Sequence, residues 1–294
     1  MTALTPTEVA AEANLLDQAE VHVVQIDATT VRYPALDIDD AYLIQRAWQS
    51  LREARGEHVI GHKIGLTSRA MQQAMQITTP DSGFLTDKMV FEAIDHKADS
   101  NNASTGSAKG GVPTAVLQAG RFLDPRIEVE LAFVLNEPLG AGTTTGEAVS
   151  RADVLAATEY VVPALELIAA RSYRRHPTTG YVRDVRDTIA DNAANAGIVI
   201  GGRRVDPQEV DLRWVGGLLS LDGTIEETGL AAGVLGHPAE GIVWLARRYA
   251  EQGLTIEAGH LILAGSFTRP VAVQAGSRID VDYGALGTFA VEFT

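Results

Sequence analysis

The sequence predicts an α+β fold, in which a mainly helical N-terminal region (residues 1–95) precedes a mixed, mostly β, barrel-like core (residues 121–294). Apolar residues repeat at helical spacing in the first region, whereas short strands separated by glycine-containing turns fill the second. The strands do not alternate regularly with helices. This last observation argues against a doubly wound parallel sheet.

Two helices are predicted at the start of the chain, over residues 5–20 and 38–55. In the first, Thr7 is the expected N-cap. The second ends at Gly56, a typical stop residue. Each helix has one apolar stripe, formed by Ala10, Ala13, Leu16 and Ala19 in the first and by Ala41, Ile44, Ala47, Trp48 and Leu51 in the second.

A lysine interrupts an apolar strand in "IGHKIGLTS". The strand is predicted over residues 58–66, and Lys63 lies in it between Gly61 and Gly65. Lysine is seldom buried without a partner. On sequence alone, Lys63 either holds an anion or extends its amine out of the strand end. A short helix, capped by Ser68, is predicted to follow over 68–76.

Residues 96–120 are predicted to form a flexible insertion. The stretch 98–112 is rich in Ser, Asn, Thr, Ala and Gly, and it has too few large apolar residues to offset its ordering entropy. We expect a spacer without chemistry of its own.

The region after residue 121 contains one clear helix, over 237–253, in which Pro238 fits the first turn and Gly253 ends the helix. The remaining apolar runs predict strands at 126–135, 161–170, 196–202, 211–223, 260–265, 277–284 and 287–293.

Composition narrows the classes of partner. The net charge of −14 argues against nucleic acid and anionic membranes as partners, since phosphate groups attract basic surfaces. The chain has no cysteine, which excludes disulfides and thiolate metal sites. Neither a signal peptide nor a membrane-spanning run is recognisable, so a cytoplasmic location is expected.

Three carboxylates are candidate metal ligands. Glu128 and Glu130 lie on one face of the strand "RIEVELAFVL", which is typical of a solvated edge strand unless a cation lies between them. Glu166, in the apolar run "VVPALELIAA", requires a partner because an unpaired buried carboxylate is costly. Carboxylate oxygens without cysteine favour Mg²⁺ or Mn²⁺ over zinc.

Several motifs together resemble the hydratase/decarboxylase branch of the fumarylacetoacetate hydrolase superfamily. They are "GHKIGLTSRAMQ", "RIEVELAFVL", "VVPALELIAARS", "DTIADNAANAGIVIGG", "AAGVLGHPAEGIVWLA" and "AGHLILAGSFTRPVAVQAG". The resemblance runs from about residue 12 to 294, apart from 95–120. It implies the barrel-like fold of the family's C-terminal region, a divalent metal (Mg²⁺ or Mn²⁺) and a homo-oligomer, often a decamer.

The resemblance also implies roles for individual residues. The family's metal ligands fall on Glu128, Glu130 and Glu166, its active-site lysine on Lys63 and its acidic residue on Asp81. Lys63 would hold the C1 carboxylate or C2 oxygen of the substrate, and Asp81 would relay protons. "TPDSG" is also typical of a turn, so a plain turn residue remains an alternative for Asp81.

Other polar residues are weaker candidates for binding substrate. Ser266 either donates to a substrate carboxylate or is a turn hydroxyl. Arg174 and Arg183 belong to a local basic cluster that a second substrate carboxylate would need, or they balance nearby acids. Asn192 and Asn195 either order a loop over the site or cap a helix.

The activity implied is metal-dependent hydration of a 2-hydroxy-2,4-dienoate or 2-oxo-enoate from meta-cleavage of aromatic rings. The seven-carbon diacid 2-oxo-hept-4-ene-1,7-dioate, giving 4-hydroxy-2-oxoheptanedioate, is the first choice. The alternatives are 4-oxalocrotonate decarboxylation, hydration of 2-hydroxypenta-2,4-dienoate, and a non-catalytic subunit that stabilises a hydratase–decarboxylase complex. A complex with a pathway partner enzyme is a further expectation.

Overall fold

The computed structural model of the protein describes residues 4–68, 72–73, 77–95, 111–143 and 148–294. The predicted helix 68–76 falls largely outside these ranges, as does the predicted insertion up to residue 110. The last part of that insertion is described, and it contains a strand, Thr114–Leu117.

The N-terminal region is helical, as predicted. It comprises α1 (Pro6–His22), α2 (Thr29–Arg32) and α3 (Ile38–Ala54). The expected N-cap of α1 at Thr7 is wrong, because Pro6 occupies the first turn and places Thr5 at the cap, where its side chain accepts from the Glu8 amide. The apolar stripes of α1 and α3 pack together in a core cluster that includes Leu16, Ile44 and Trp48.

The strands of the described residues all follow α3. The described residues after α3 also form α4 (Arg151–Ala156), α5 (Val185–Ala190) and α6 (Ala239–Glu251). The strands are β1 (Val59–Gly65), β2 (Asp81–Thr86), β3 (Val90–Glu92), β4 (Thr114–Leu117), β5 (Arg126–Leu135), β6 (Leu139–Gly140), β7 (Thr158–Ile168), β8 (Asn195–Ile200), β9 (Gly216–Leu221), β10 (Thr224–Leu230), β11 (Thr255–Ile256), β12 (Leu261–Leu263), β13 (Val271–Ala272), β14 (Arg278–Asp282) and β15 (Thr288–Phe293).

Two larger sheets form the core. The first has the order β2-β1-β12-β5-β7-β8-β3, with β13 also paired to β5, and the second has the order β10-β9-β14-β15-β4. Both are mixed, since β1 runs parallel to β12 and β15 parallel to β4 while most other neighbours are antiparallel. The predicted α+β class with a barrel-like core is confirmed, although no sheet closes on itself among the described residues.

Strand β5 explains how the first sheet is oriented. Ile127, Val129, Leu131 and Phe133 alternate along it, and all four are fully buried in one core cluster with residues of the second sheet and α6. Burying side chains of this size contributes about 1.5–3 kcal/mol each. The alternate residues, among them Glu128 and Glu130, therefore face the other side of the sheet.

Some strands were not predicted from the sequence. Strand β2 occupies residues that are typical of a turn. Strands β3 and β10 are formed by segments with little apolar alternation. Strand β2 exists because it pairs antiparallel with β1, a contact between distant parts of the chain. Among the described residues, no helix has the length and apolar character needed to cross a membrane.

Candidate active site

Three carboxylates meet where β5 and β7 pair. Glu128 lies directly opposite Glu166 in the antiparallel register, and Glu130 follows two positions along on the same face of β5. One oxygen from each of the three groups lies within 4.8 Å of the others. The alternative of a solvated edge strand is wrong, because β5 lies between β12 and β7 and Glu130 is buried.

The carboxylates repel one another in a buried setting. Burial, together with the charge of Glu166, raises the pKa of Glu128 to about 8. The same two causes raise the pKa of Glu130 well above its ordinary value. Within the described ranges, Glu130 Oε1 and Glu166 Oε2 are buried without a hydrogen-bond partner. A divalent cation would neutralise the charges and occupy these oxygens, so the residues present fit a magnesium or manganese ion.

Lys63 extends from β1 towards this cluster. Its Nζ lies 3.5 Å from Glu166 Oε1, and the residue is only 4% exposed. Burial by itself would lower the pKa of Lys63, but the charges of Glu166 and Asp81 outweigh it and raise the pKa above the ordinary value. The surrounding carboxylates therefore favour the protonated form of the amine, which is a hydrogen-bond donor.

Gly65 gives Lys63 and Asp81 room to approach each other. Strand β2 places Asp81 opposite Gly65, so Asp81 begins a strand and is not the turn residue of the alternative reading. A Cβ added at Gly65 would lie 2.3 Å from Asp81 Oδ1 and 2.8 Å from Lys63 Nζ. Asp81 Oδ1 is also buried without a partner among the described groups. Burial raises the pKa of Asp81 even though the Lys63 charge opposes the shift.

A cavity of about 540 Å³ opens in front of these groups. Its wall includes Lys63, Asp81, Glu128 and Glu130, while Glu166 lies behind them and is fully buried. Leu66, Thr67 and Phe267 add apolar and hydroxyl surface. The cavity is large enough for a small carboxylic acid.

Three of the weaker candidates, Ser266, Arg174 and Arg183, also line this cavity. Ser266 Oγ lies 2.9 Å from the Thr268 carbonyl oxygen, so its hydroxyl already has a partner in its own turn. Arg183 Nη1 donates to Asp191 Oδ2 at 2.8 Å, and Arg174 Nε donates to Asp124 Oδ2 at 2.7 Å.

The two asparagines take roles that differ from both sequence expectations. Asn192 pairs its side-chain amide with the backbone of Phe84 in β2, accepting at 2.8 Å and donating at 3.0 Å. Asn195 Nδ2 donates to Glu166 Oε1 at 2.7 Å and so orients that carboxylate. Asn192 and the two alanines that follow it have left-handed φ values of 53°, 49° and 62°, a costly conformation for residues with a Cβ.

A buried ion-pair network holds this left-handed turn in place. Arg171 donates from its backbone amide to Asp191 Oδ2 at 3.0 Å and from Nη1 to the Asn195 carbonyl at 3.0 Å. Asp191 also accepts from Arg183. Sequence reasoning missed Asp191 as the anchor of this network. The only signal in the sequence was an arginine-rich segment followed by "DTIADNAANAG".

Comparison with known proteins agrees with this geometry. The family model for the fumarylacetoacetate (FAA) hydrolase C-terminal region matches residues 96–294. The chain belongs to the fumarylacetoacetate hydrolase family.

Several relatives of this family match almost the whole chain. It is 49% identical to the 2-oxo-hept-4-ene-1,7-dioate hydratase of Escherichia coli, covering 96% of each chain. It is 37% identical to the 2-hydroxyhexa-2,4-dienoate hydratase of Comamonas testosteroni, covering 90% of this chain and 89% of the relative.

A solved family structure superposes over the full length. The 4-oxalocrotonate decarboxylase of Pseudomonas putida G7, complexed with magnesium and adipate, matches with a TM-score of 0.86 and 32% identity over 100% of both chains. That fumarylacetoacetate hydrolase family member was crystallised with a divalent metal and a dicarboxylic acid, which agrees with the carboxylate cluster and the cavity described above.

Proposed function

We propose that this chain is a metal-dependent hydratase that converts 2-oxo-hept-4-ene-1,7-dioate into 4-hydroxy-2-oxoheptanedioate. The observation that carries the proposal is the cluster of Glu128, Glu130 and Glu166 beside Lys63, at the end of a cavity of suitable size. The 49% identity to a hydratase of this substrate supports the same reaction.

The three carboxylates are proposed to hold Mg²⁺ or Mn²⁺. A metal bound there would act as a Lewis acid towards the 2-oxo group of the substrate. The chain itself orients this site, because Asn195 fixes one Glu166 oxygen and the Gly265 amide donates to Glu130 Oε2 at 2.9 Å. Hydrogen bonds from neighbouring groups to metal-binding side chains hold those side chains in their productive orientation.

Lys63 and Asp81 are proposed to act on the substrate directly. The protonated Lys63 Nζ can donate to the C1 carboxylate or the C2 oxygen, where negative charge develops as the double bonds shift. Asp81 is proposed to move a proton through Oδ1, which is buried at the cavity wall without a partner in the described part of the chain. Ser266, Arg174 and Arg183 are proposed as substrate contacts along the same wall.

The test is turnover by the purified full-length chain with Mg²⁺. Dienoates of five, six and seven carbons are supplied, and the products are identified with and without a chelator. We expect hydration of the seven-carbon diacid that the chelator abolishes. Lys63→Met should lower kcat by about a hundredfold or more, since it removes a charge-assisted contact to the reacting oxygen, while metal binding persists. A wild-type chain that hydrates no dienoate would overturn the proposal.

A decarboxylase is the second candidate. It is favoured by the full-length superposition on the 4-oxalocrotonate decarboxylase and by 35% identity to such an enzyme of Pseudomonas putida over 99% of this chain. Release of CO₂ from the six-carbon diacid, faster than hydration of any substrate in the same panel, would select it. Activity of the isolated chain in either reaction would exclude a non-catalytic stabilising subunit.

The homo-oligomer implied by the sequence resemblance, the partner enzyme and the cytoplasmic location remain predictions. Exposed apolar side chains support self-association, since Trp214 is 71% exposed and Leu218 and Leu230 are also exposed. Light scattering coupled to size-exclusion chromatography measures the number of subunits, and a purely monomeric chain at working concentration would contradict the expected oligomer.

A further inference from the structure

Two arginines share a single carboxylate beside the cavity. Arg174 Nε donates to Asp124 Oδ2 at 2.7 Å, and Arg126 Nη2 lies 3.5 Å from the same oxygen. Asp124 adopts a left-handed φ of 49°, so the backbone is held in a costly conformation at the residue that joins the two guanidinium groups. A strained backbone persists only where the surrounding structure stabilises it, and such positions cluster at functional sites.

Among the described residues, Arg126 and Arg174 have only the one carboxylate of Asp124 as their ion-pair partner. In the described part of the chain, Arg126 Nε is buried with no hydrogen-bond partner. Arg183 lies close by, but Asp191, its ion-pair partner, also serves the buried Arg171. Burial and then the charges of Arg183 and Arg126 lower the pKa of Arg174 to about 10. An additional anion would therefore be stabilised at this place.

The spacing matches the length of a dicarboxylic acid. Arg126 and Glu128 are two positions apart on one face of β5, which places their backbones about 7 Å apart. An extended seven-carbon chain separates its two carboxyl carbons by roughly 7–8 Å, given carbon–carbon bonds of ~1.5 Å. When the 2-oxo-acid end lies at the carboxylate cluster, a substrate extended along β5 would thus bring its far carboxylate to the level of Arg126, and Arg174 lines the same cavity.

We propose that Arg126 and Arg174, joined by Asp124, form a subsite that binds the second carboxylate of the substrate and makes the enzyme select diacids over monoacids. The proposal rests on the proposed function of the same cavity. Arginine suits this role because its planar guanidinium binds a carboxylate through two parallel hydrogen bonds. Arg174 lies in the cavity wall and makes the direct contact, and Arg126, which shares Asp124 with it, adds positive charge.

Substrate discrimination by single variants tests the subsite. We compare Arg174→Gln and Arg126→Gln with Arg175→Gln, a matched control that removes the same charge from an exposed neighbour outside the cavity wall. KM and kcat are measured for the seven-carbon diacid and for the monoacid 2-hydroxypenta-2,4-dienoate. Arg174→Gln should raise KM for the diacid about tenfold to a hundredfold and leave kcat/KM for the monoacid within about twofold.

Arg126→Gln should shift the diacid KM in the same direction by a smaller factor, and Arg174→Lys should retain part of the discrimination. A loss that is equal for both substrates would show a merely structural role and overturn the subsite. The proposal would also fail if the wild-type chain used the monoacid as well as the diacid, although the hydratase assignment would then survive.

Binding without turnover separates this proposal from the proposed function. Calorimetry on the Mg²⁺-loaded full chain compares heptanedioate with heptanoate, neither of which can react. We expect heptanedioate to bind about tenfold more tightly, and Arg174→Gln to abolish the difference while Arg175→Gln preserves it. Equal affinity of the two acids for the wild-type chain would refute the subsite, whatever the outcome of the turnover assay.

Discussion

The substitution Glu166→Gln isolates the charge of the metal site from its shape. Glutamine has nearly the volume of glutamate, and its side-chain oxygen can still accept the hydrogen bond from Asn195. The change therefore removes one negative charge from a fully buried position and leaves packing almost untouched.

Two effects oppose each other in the metal-free protein. The substitution removes the attraction between Glu166 and Lys63 at 3.5 Å, about 5 kcal/mol at an effective dielectric constant near 20. It also relieves repulsion from Glu128 and Glu130, whose nearest oxygens lie within 4.8 Å and which, when ionised, contribute about 3.5 kcal/mol or more each. Where Glu128 and Glu130 are ionised, above their raised pKa values, the free energy of unfolding without metal should therefore change by only about 2 kcal/mol.

The metal-bound state has no such compensation. Losing one of three charged ligands should weaken the binding of Mg²⁺ or Mn²⁺ at least about a hundredfold. Even residues that only support metal ligands typically contribute 10- to 100-fold to metal affinity. Isothermal titration calorimetry measures the affinity, and thermal unfolding with added metal measures the linked stabilisation.

Glu159→Gln is the matched control, since Glu159 is an exposed glutamate on the same strand β7. It should leave metal affinity unchanged. If Glu166→Gln binds metal as tightly as the wild type, the site of three carboxylates is refuted. A fall of many kcal/mol in metal-free stability would instead refute the balance of attraction and repulsion.

Four other substitutions have distinct expected outcomes. Burial, and then His260, lowers the pKa of His62 from 6.5 to about 3. Below pH 6.5 this histidine binds a proton in the unfolded chain but stays neutral in the folded chain. Its contribution to the free energy of unfolding is therefore fully present above pH 6.5 and falls by about 1.4 kcal/mol per pH unit towards pH 3. Urea unfolding should thus show the wild type losing about 2 kcal/mol more than His62→Gln between pH 7 and pH 5. Gly65→Ala should abolish most turnover but retain the fold, because its Cβ would lie 2.3 Å from a carboxylate oxygen of the site. Gly61→Ala should instead prevent folding, because its Cβ would lie 1.8 Å from a neighbouring backbone oxygen. Asp191→Asn should cost about 3–5 kcal/mol in chemical denaturation, because it leaves two buried guanidinium groups without their shared carboxylate.

Controls make these outcomes decisive. His58 is an exposed histidine just before β1, so His58→Gln should keep the acid sensitivity of the wild type. Tyr249 OH lies 3.1 Å from His62 Nδ1, and Tyr249→Phe shows whether that hydrogen bond, rather than the titration, stabilises the fold. Gly120→Ala is a harmless glycine substitution, since a Cβ there meets nothing within 4 Å. If Gly65→Ala is as active as this control, the close approach of Lys63 and Asp81 is not required for turnover.

Local pattern predicted those parts of the protein that depend on neighbours in sequence. The alternation in β5 showed that one face must be buried, and the structure places Ile127, Val129, Leu131 and Phe133 there. The cost of an unpaired carboxylate in an apolar run pointed to a partner for Glu166, and the structure supplies Lys63 and Asn195. Helix α3 and its stop at Gly56 followed from spacing in the same way.

Features that depend on distant partners were not predictable from local pattern. Strand β2 looks like a turn in the sequence because the partners that keep it extended, β1 and the side chain of Asn192, lie far away along the chain. The left-handed residues after Asp191 contain no glycine, and they are held by bonds from Arg171, twenty residues away in sequence. Nothing in the spacing of Arg126 indicated that it shares Asp124 with Arg174.

The sequence by itself determined the chemistry available: carboxylates and a lysine that an apolar environment tolerates only in pairs. Only the tertiary structure decided which of these groups meet, since the register of β5 against β7 brings Glu128 opposite Glu166, and β1 brings Lys63 to both. The physical reason is that the energy of a charge depends on its partners in space, and those partners are set by strand pairing across more than a hundred residues of chain.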